Sequence, residues 1–167
     1  MRQINWTDRK WSFDFPAEMF PAVVERLRGT PARITDLIKN APHQMLTRRD
    51  ANRWSVNDHI GHLIDLDDLD QTRLDEFIAG ADTLTAADMS NTRTNEAGYN
   101  DVATATILEY FRARRLDLVS RLEQLSEEQV NRKAMHPRLK MPMRLVDWTY
   151  FVAEHDDHHV ARMRELL

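Results

Sequence analysis

Three of the chain's seven histidines fall together in Glu154-His155-Asp156-Asp157-His158-His159. On a helix, residues four apart share a side. His155 and His159 therefore lie one turn apart on the face that also carries Trp148, Phe151, Val152 and Leu166. Two imidazoles so placed can reach one atom, which is how a helix offers a ligand pair to a metal ion. His158 is rotated about 60° from that stripe and is less well placed. An earlier segment, Trp54-Ser55-Val56-Asn57-Asp58-His59-Ile60-Gly61-His62-Leu63, puts His62 on a face with Ser55, Leu66 and Leu69. If two such helices pack together, His62 adds a third nitrogen. Three neutral imidazoles with one position left for water form an open site, the arrangement of catalytic rather than structural zinc. The plain alternative stands beside this one: a histidine on an apolar face is often a hydrogen-bonded core residue, and an i, i+4 pair arises by chance in a helix rich in His and Asp. The HxxxH spacing lacks the Glu of the HExxH metalloprotease motif. No Glu-x-x-His pair occurs, which argues against a di-iron carboxylate bundle.

Composition narrows the chemistry further. The chain has 167 residues, no cysteine and a formal net charge of −4. That length suits one domain, expected to span residues 1–167. Without cysteine there is no disulfide, zinc ribbon, iron–sulfur cluster or thiol nucleophile, so any metal is held by nitrogen and oxygen. The mild acidity offers no electrostatic case for nucleic acid. No apolar run approaches the roughly 18 residues of a membrane span, and MRQINWTDRKW has no apolar signal core. The expectation is a cytoplasmic protein acting on a small molecule, with neither nucleic acid nor membrane as partner.

The elements that must position the histidines read as helices, and the fold class is all-α. A first helical region spans about 17–40, with an apolar stripe of Phe20, Val23, Val24, Leu27, Ile34, Leu37 and Ile38. Gly29-Thr30-Pro31 interrupts it, predicting two segments meeting at Thr30 or one kinked helix. A second helix starts at Ser55 with the capping box Ser55-Val56-Asn57-Asp58 and ends near Gly80. A third spans about 101–125, and Ser126-Glu127-Glu128-Gln129 is a second capping box. The fourth begins near Met143. Residues 80–100 form a long polar connection, of the kind that is functional or mobile. The architecture expected is a four-helix bundle with that connection between helices two and three.

The chain resembles the DinB/YfiT-like superfamily of metal-binding four-helix bundles, the damage-inducible DinB family rather than the polymerase of similar name. Two motifs, in this order, carry the resemblance. One is the Trp-Ser helix start with a histidine eight positions after the Trp, at Trp54, Ser55 and His62. The other is the HxxHH cluster at His155, His158 and His159 within MRLVDWTYFVAEHDDHHVARM. RLRGTPARITDLI and MSNTRTNEAGYND are similar to one subgroup. The resemblance implies metal ligation by His62, His155 and His159, with Zn²⁺ or Ni²⁺ the usual ion. The family's common Gln three places after the last histidine is replaced by Arg162, which weakens any role built on that Gln but not the ligand set. The resemblance also implies a metal-dependent enzyme using a low-molecular-weight thiol as an S-transferase, and frequent homodimers. The alternatives are a metal-dependent hydrolase without thiol and a non-catalytic stress-response bundle that the metal braces.

Other polar residues have two readings each. Asp58 and Asp65 lie close to His62 on the helical wheel and could accept an imidazole N–H. Helix-start charge for Asp58 and a solvated face for Asp65 are the plainer assignments. Asp156 and Asp157 share the choice, and His59 is a surface residue or an orienter of His62. Asn91, Asn95, Glu96, Tyr99 and Asn100 line a pocket or merely form turns and caps. Trp148 and Phe151 read as core. Arg112, Arg114 and Arg115 read as a solvated face with i, i+4 pairs rather than an anion site.

Overall fold

The computed structural model describes residues 3–51 and 53–167. Four long helices, α1 (Phe20–Ile38), α3 (Val56–Ala79), α5 (Thr104–Leu122) and α7 (Leu145–Leu166), form the bundle. Short helices α2 (His43–Thr47), α4 (Thr92–Glu96) and α6 (Glu127–Val130) lie in the connections. A hairpin of β1 (Lys133–His136) and β2 (Met141–Arg144) precedes α7.

Both capping boxes form. The Ser55 hydroxyl accepts from the Asp58 amide and the Asp58 carboxylate accepts from the Ser55 amide, while Ser126 and Gln129 do the same at α6. The α3 helix stops at Gly80, whose φ of 74° supplies the left-handed cap that side chains disfavour. Pro31 sits inside one continuous α1; the neighbouring Thr30 hydroxyl donates to the Arg26 carbonyl. The two-segment reading of residues 17–40 is therefore replaced by a single helix.

The apolar interior comes in two clusters, and their membership fixes the helix directions. One joins the start of α1 (Val23, Val24, Leu27), the end of α3 (Leu74, Phe77), the end of α5 (Leu118, Leu122) and the start of α7 (Leu145, Trp148). The other joins Ile34 and Ile38, Ile60 and Leu63, Ile107 and Phe111, and Met163. So α1 and α7 are parallel to each other and antiparallel to α3 and α5. Two consecutive parallel helices cannot be joined by a tight turn, because the chain must travel back along a helix of 24 residues, about 36 Å. The length of the connection after Gly80 follows from this. In the ring α1 adjoins α7 and α5, and α3 adjoins α5 and α7. The two histidine-bearing helices are thus neighbours.

The β hairpin departs from the all-helical expectation. Its register pairs Lys133 with Arg144 and His136 with Met141. Pro137 and Pro142 hide it from periodicity, since proline within a short run argues against a strand unless the edge is free. A segment before α1 also packs on the bundle: Trp6 and Trp11 lie edge to face at 4.9 Å, and each packs against Phe151. Among the described residues no helix is long and apolar enough to cross a membrane.

Candidate metal centre and its cavity

His62 on α3 and His155 and His159 on α7 each offer a ring nitrogen, and these atoms lie within 4.8 Å of one another. Nε2 of His155 and Nε2 of His159 are 3.1 Å apart. Two nitrogens bound at 2.0–2.1 Å to one tetrahedral ion are separated by about 3.3 Å, so the spacing matches a shared ion.

The far side of two rings is held. His62 Nδ1 is 3.2 Å from the Thr94 hydroxyl, and that hydroxyl donates to Asp65 Oδ2 at 2.8 Å. Having given its proton to the carboxylate, the Thr94 oxygen accepts from His62 Nδ1–H. The lone pair of His62 is then on Nε2, free for a ligand bond. Asp65 is fixed in turn by the Tyr99 hydroxyl at 2.8 Å and Arg93 Nε at 2.9 Å. His159 Nδ1 lies 2.8 Å from His59 Nδ1, so His59 is an orienter, of His159 rather than His62. Trp6 packs edge-on against His155 at 4.8 Å.

The rings are neutral at physiological pH. Burial pushes His62 from 6.5 down to about 3, with His59 adding to the effect. Burial, and then the neighbouring imidazoles, hold His155 and His159 well below 6.5. Neutral imidazole is the form that binds metal. The donor set fits a divalent ion that favours nitrogen, such as zinc or nickel, better than the all-oxygen preference of magnesium or calcium.

The three histidines line a cavity of about 480 Å³. Its apolar wall includes Leu66, Leu69, Met89, Phe151 and Val152, and Trp6 and Trp54 flank the imidazoles. Farther along it are Asp70, Arg73, His136 and Arg138. Burial, opposed by Arg115, pushes the Asp70 carboxyl up to about 7, where it can take or give a proton near neutrality.

The remaining residues sort as follows. Asp58 is the helix-start charge, buried and gripped by Arg49 through two contacts of 2.7 Å. Asp65 is not on a solvated face: its side chain is 6% exposed and holds Thr94. Asp156 is buried against Arg115 at 2.9 Å, and Asp157 pairs with Arg26 and Arg33; neither touches an imidazole. Arg115 is itself buried rather than solvated, and Arg114 pairs with Asp67 and Asp68 across on α3. Trp148 is core against Phe77, while Phe151 is both core and cavity wall. Asn91 lines the cavity; Asn95 accepts from Trp54 Nε1 at 2.9 Å; Asn100 bridges Ser55 and Asp58. Glu96 is exposed. His158 borders the cavity but stands outside the triad.

Reading the sequence missed Thr94, Asp70, Arg73, His136 and Arg138. The signal for Thr94 was its place in the polar connection; for His136 it was a histidine directly before Pro137, with basic residues on both sides and outside any helix. Gly61 carries a further signal. A Cβ there would lie 2.1 Å from the Tyr99 ring, so only glycine lets Tyr99 close on α3 and reach Asp65.

The sequence profile of the DinB superfamily matches residues 26–163. No curated protein matches the sequence. Among solved structures, YfiT from Bacillus subtilis superposes with a TM-score of 0.79 at 19% identity, over 95% of this chain and 91% of that one. YfiT is described as a probable metal-dependent hydrolase with an unusual four-helix bundle topology.

Proposed function

The chain belongs to the DinB superfamily, and from that premise we propose that it is a divalent-metal-dependent hydrolase of a small molecule, with His62, His155 and His159 as the metal ligands. The observation that carries the reading is the convergence of three neutral imidazoles within 4.8 Å at the wall of a cavity. A divalent ion held there would supply Lewis acidity, lowering the proton affinity of a coordinated water or thiol and polarising an electrophile. Thr94 and His59 hold the rings in place. Leu66, Leu69, Phe151 and Val152 exclude bulk water and take an apolar substrate body. Asp70 is the cavity carboxyl suited to moving a proton at neutral pH. The description of YfiT as a probable metal-dependent hydrolase supports water as the nucleophile.

A second reading, transfer of a low-molecular-weight thiol, is favoured by one observation: these 167 residues contain no cysteine, so none of them offers a thiol to the cavity and a thiol there comes with a ligand. Protein purified without a nickel column and supplemented with Zn²⁺, Ni²⁺ or Mn²⁺ is expected to carry one ion per chain by mass spectrometry, and His159→Ala none. Wild type that stays metal-free overturns the proposal. An ester, amide and electrophile panel then divides the chemistry. Turnover without thiol is hydrolysis, and turnover that requires thiol is transfer. Metal whose removal only lowers the melting temperature, with no turnover of any substrate, assigns the ion a bracing role.

A further inference from the structure

The cavity has a second polar end that the metal reading does not use. Arg73 comes from α3, and His136 and Arg138 from the hairpin and its turn; all three line the cavity. His136 Nδ1 accepts from the Leu139 amide at 3.2 Å, so in the neutral ring the proton is on Nε2. That N–H is buried without a hydrogen-bond partner, and so is Nη2 of Arg138. Arg73 gives only its Nε, to the Thr85 carbonyl at 2.9 Å. Among the described residues neither Arg73 nor Arg138 has a carboxylate within 4 Å, although twenty ion pairs form elsewhere. Asp70 and Glu76 are the acids that act on Arg73 from beyond that distance; Asp70 faces Arg115 at 3.7 Å, and Glu76 accepts from the Thr85 amide at 2.8 Å. Arg138 Nη2 and the His136 Nε2–H lack the acceptor that buried donors normally find, and the buried Arg73 guanidinium beside them has no ion-pair partner within 4 Å among the described residues.

We propose that Arg73, His136 and Arg138 form an anion-recognition site that holds an oxyanionic group, a carboxylate or a phosphate ester, of a ligand whose apolar body runs along the cavity toward the imidazoles. Arg138, with the unpartnered Nη2, is the main anchor. His136 contributes a neutral donor: burial and the charges of Arg73 and Arg138 hold it at about 4. The site deepens the hydrolase reading by naming the substrate class: a small, mainly apolar molecule with one anionic end. It rests on the cavity being the substrate site, but not on the metal.

The test uses the whole chain stripped of metal with a chelator, so that no anion can be captured by an ion. Three probes share an aromatic body: 4-phenylbutyrate, phenyl phosphate and the neutral 4-phenylbutyramide. Binding is followed by tryptophan fluorescence, since Trp6 and Trp54 line the cavity, and by calorimetry. At least one anion is expected to bind about tenfold or more tightly than the amide. Which anion wins distinguishes a carboxylate ligand from a phosphate ester. Arg138→Gln is expected to remove the preference and leave amide affinity within about twofold, which shows that the cavity survives the change. Arg73→Gln serves as the second variant and is expected to reduce the preference. Equal binding of acids and amide, or a preference untouched in both variants, overturns the proposal. Because the measurement is made without metal, failure of the anion site and failure of metal ligation are read separately.

Discussion

Helix α7 builds two buried polar centres from adjacent residues. His155 and His159 face α3 and the cavity, while Asp156 faces inward to Arg115. The second centre lies between the two apolar clusters. Arg115 meets Asp156 at 2.9 Å, with Asp67 and Asp70 each at 3.7 Å. The cation there is surrounded by carboxylates from α3 and α7, so its charge is met within the protein, although Arg115 Nε and Nη1 and both Asp67 oxygens make no hydrogen bond. The imidazole centre is the reverse. Its rings are neutral, and two of them are held from behind by Thr94 and His59. One centre ties three helices together; the other brings three ring nitrogens within 4.8 Å of one another at a cavity wall.

Acid should separate them most strongly. In the metal-free protein His62 is held at about 3, His59, His136 and His158 at about 4, and His155 and His159 well below 6.5. Below 6.5 the unfolded chain therefore binds protons that the native state refuses, and stability falls as pH drops from 7 to 5. Asp70 works the other way. Its native value of about 7 exceeds the unfolded 3.8, so the native state binds the extra proton and gains stability as pH falls through 7. Burial raises the Asp67 and Asp156 carboxyls too, against the pull of Arg115, so three carboxyls act this way and six histidines outweigh them. The melting temperature of metal-free protein is expected to drop by on the order of 15 °C between pH 7 and 5. A rise on acidification would mean that the carboxylate centre governs stability and that the histidine burial is misplaced.

Next in size are two substitutions with opposite signatures. Arg115→Met leaves Asp70 and Asp156 buried without their ion-pair partner and Asp67 with Arg114 alone, and is expected to cost about 3–5 kcal/mol, or roughly 10 °C in melting temperature. The protein that remains folded should still bind one metal per chain. His159→Ala should weaken metal binding by more than about 100-fold, yet change metal-free stability by only about 1 kcal/mol, because the ring it removes makes no ion pair. Melting curves and metal titration of both variants check the pair. Arg115→Met protein that folds but loses metal would show the two centres to be one coupled unit.

Periodicity exposed some of this and hid the rest, for physical reasons. The histidine faces were legible because a helix repeats: His155 and His159 sit one turn apart in an apolar stripe, and His62 sits with Leu66 and Leu69. Ser55 and Asp58 announced the start of α3 because a capping box is a local pattern. Arg115 and its partners look like ordinary surface charges in one dimension; only the packing of α3, α5 and α7 makes them interior. Thr94 and the hairpin residues His136 and Arg138 lie in connections, where no repeat relates position to direction. The fold class and the triad's placement thus follow from local spacing, whereas the orienting groups and the far end of the cavity depend on the long crossover and on a proline-bearing hairpin.

Thr94 offers the finest division between the two centres. Its hydroxyl does two things at once: it takes the His62 Nδ1 proton and gives its own to Asp65. Thr94→Val keeps the size and the branched carbon but removes both bonds. His62 is then free to turn or to carry its proton on Nε2, where it cannot ligate. Loss of such an orienting partner typically weakens metal binding about 10–100-fold. Metal-free stability should fall by only about 1 kcal/mol, the worth of a modest hydrogen bond. Thr94→Ser, which retains the hydroxyl, should recover most of the affinity. Competition titration with a chromophoric chelator measures all three proteins. Equal affinity in the Val variant would show that packing from Trp54, 4.6 Å from the His62 ring, fixes that imidazole without the relay. The division between a charge-paired centre and a pre-oriented imidazole centre would then have to rest on His59 and His159 alone.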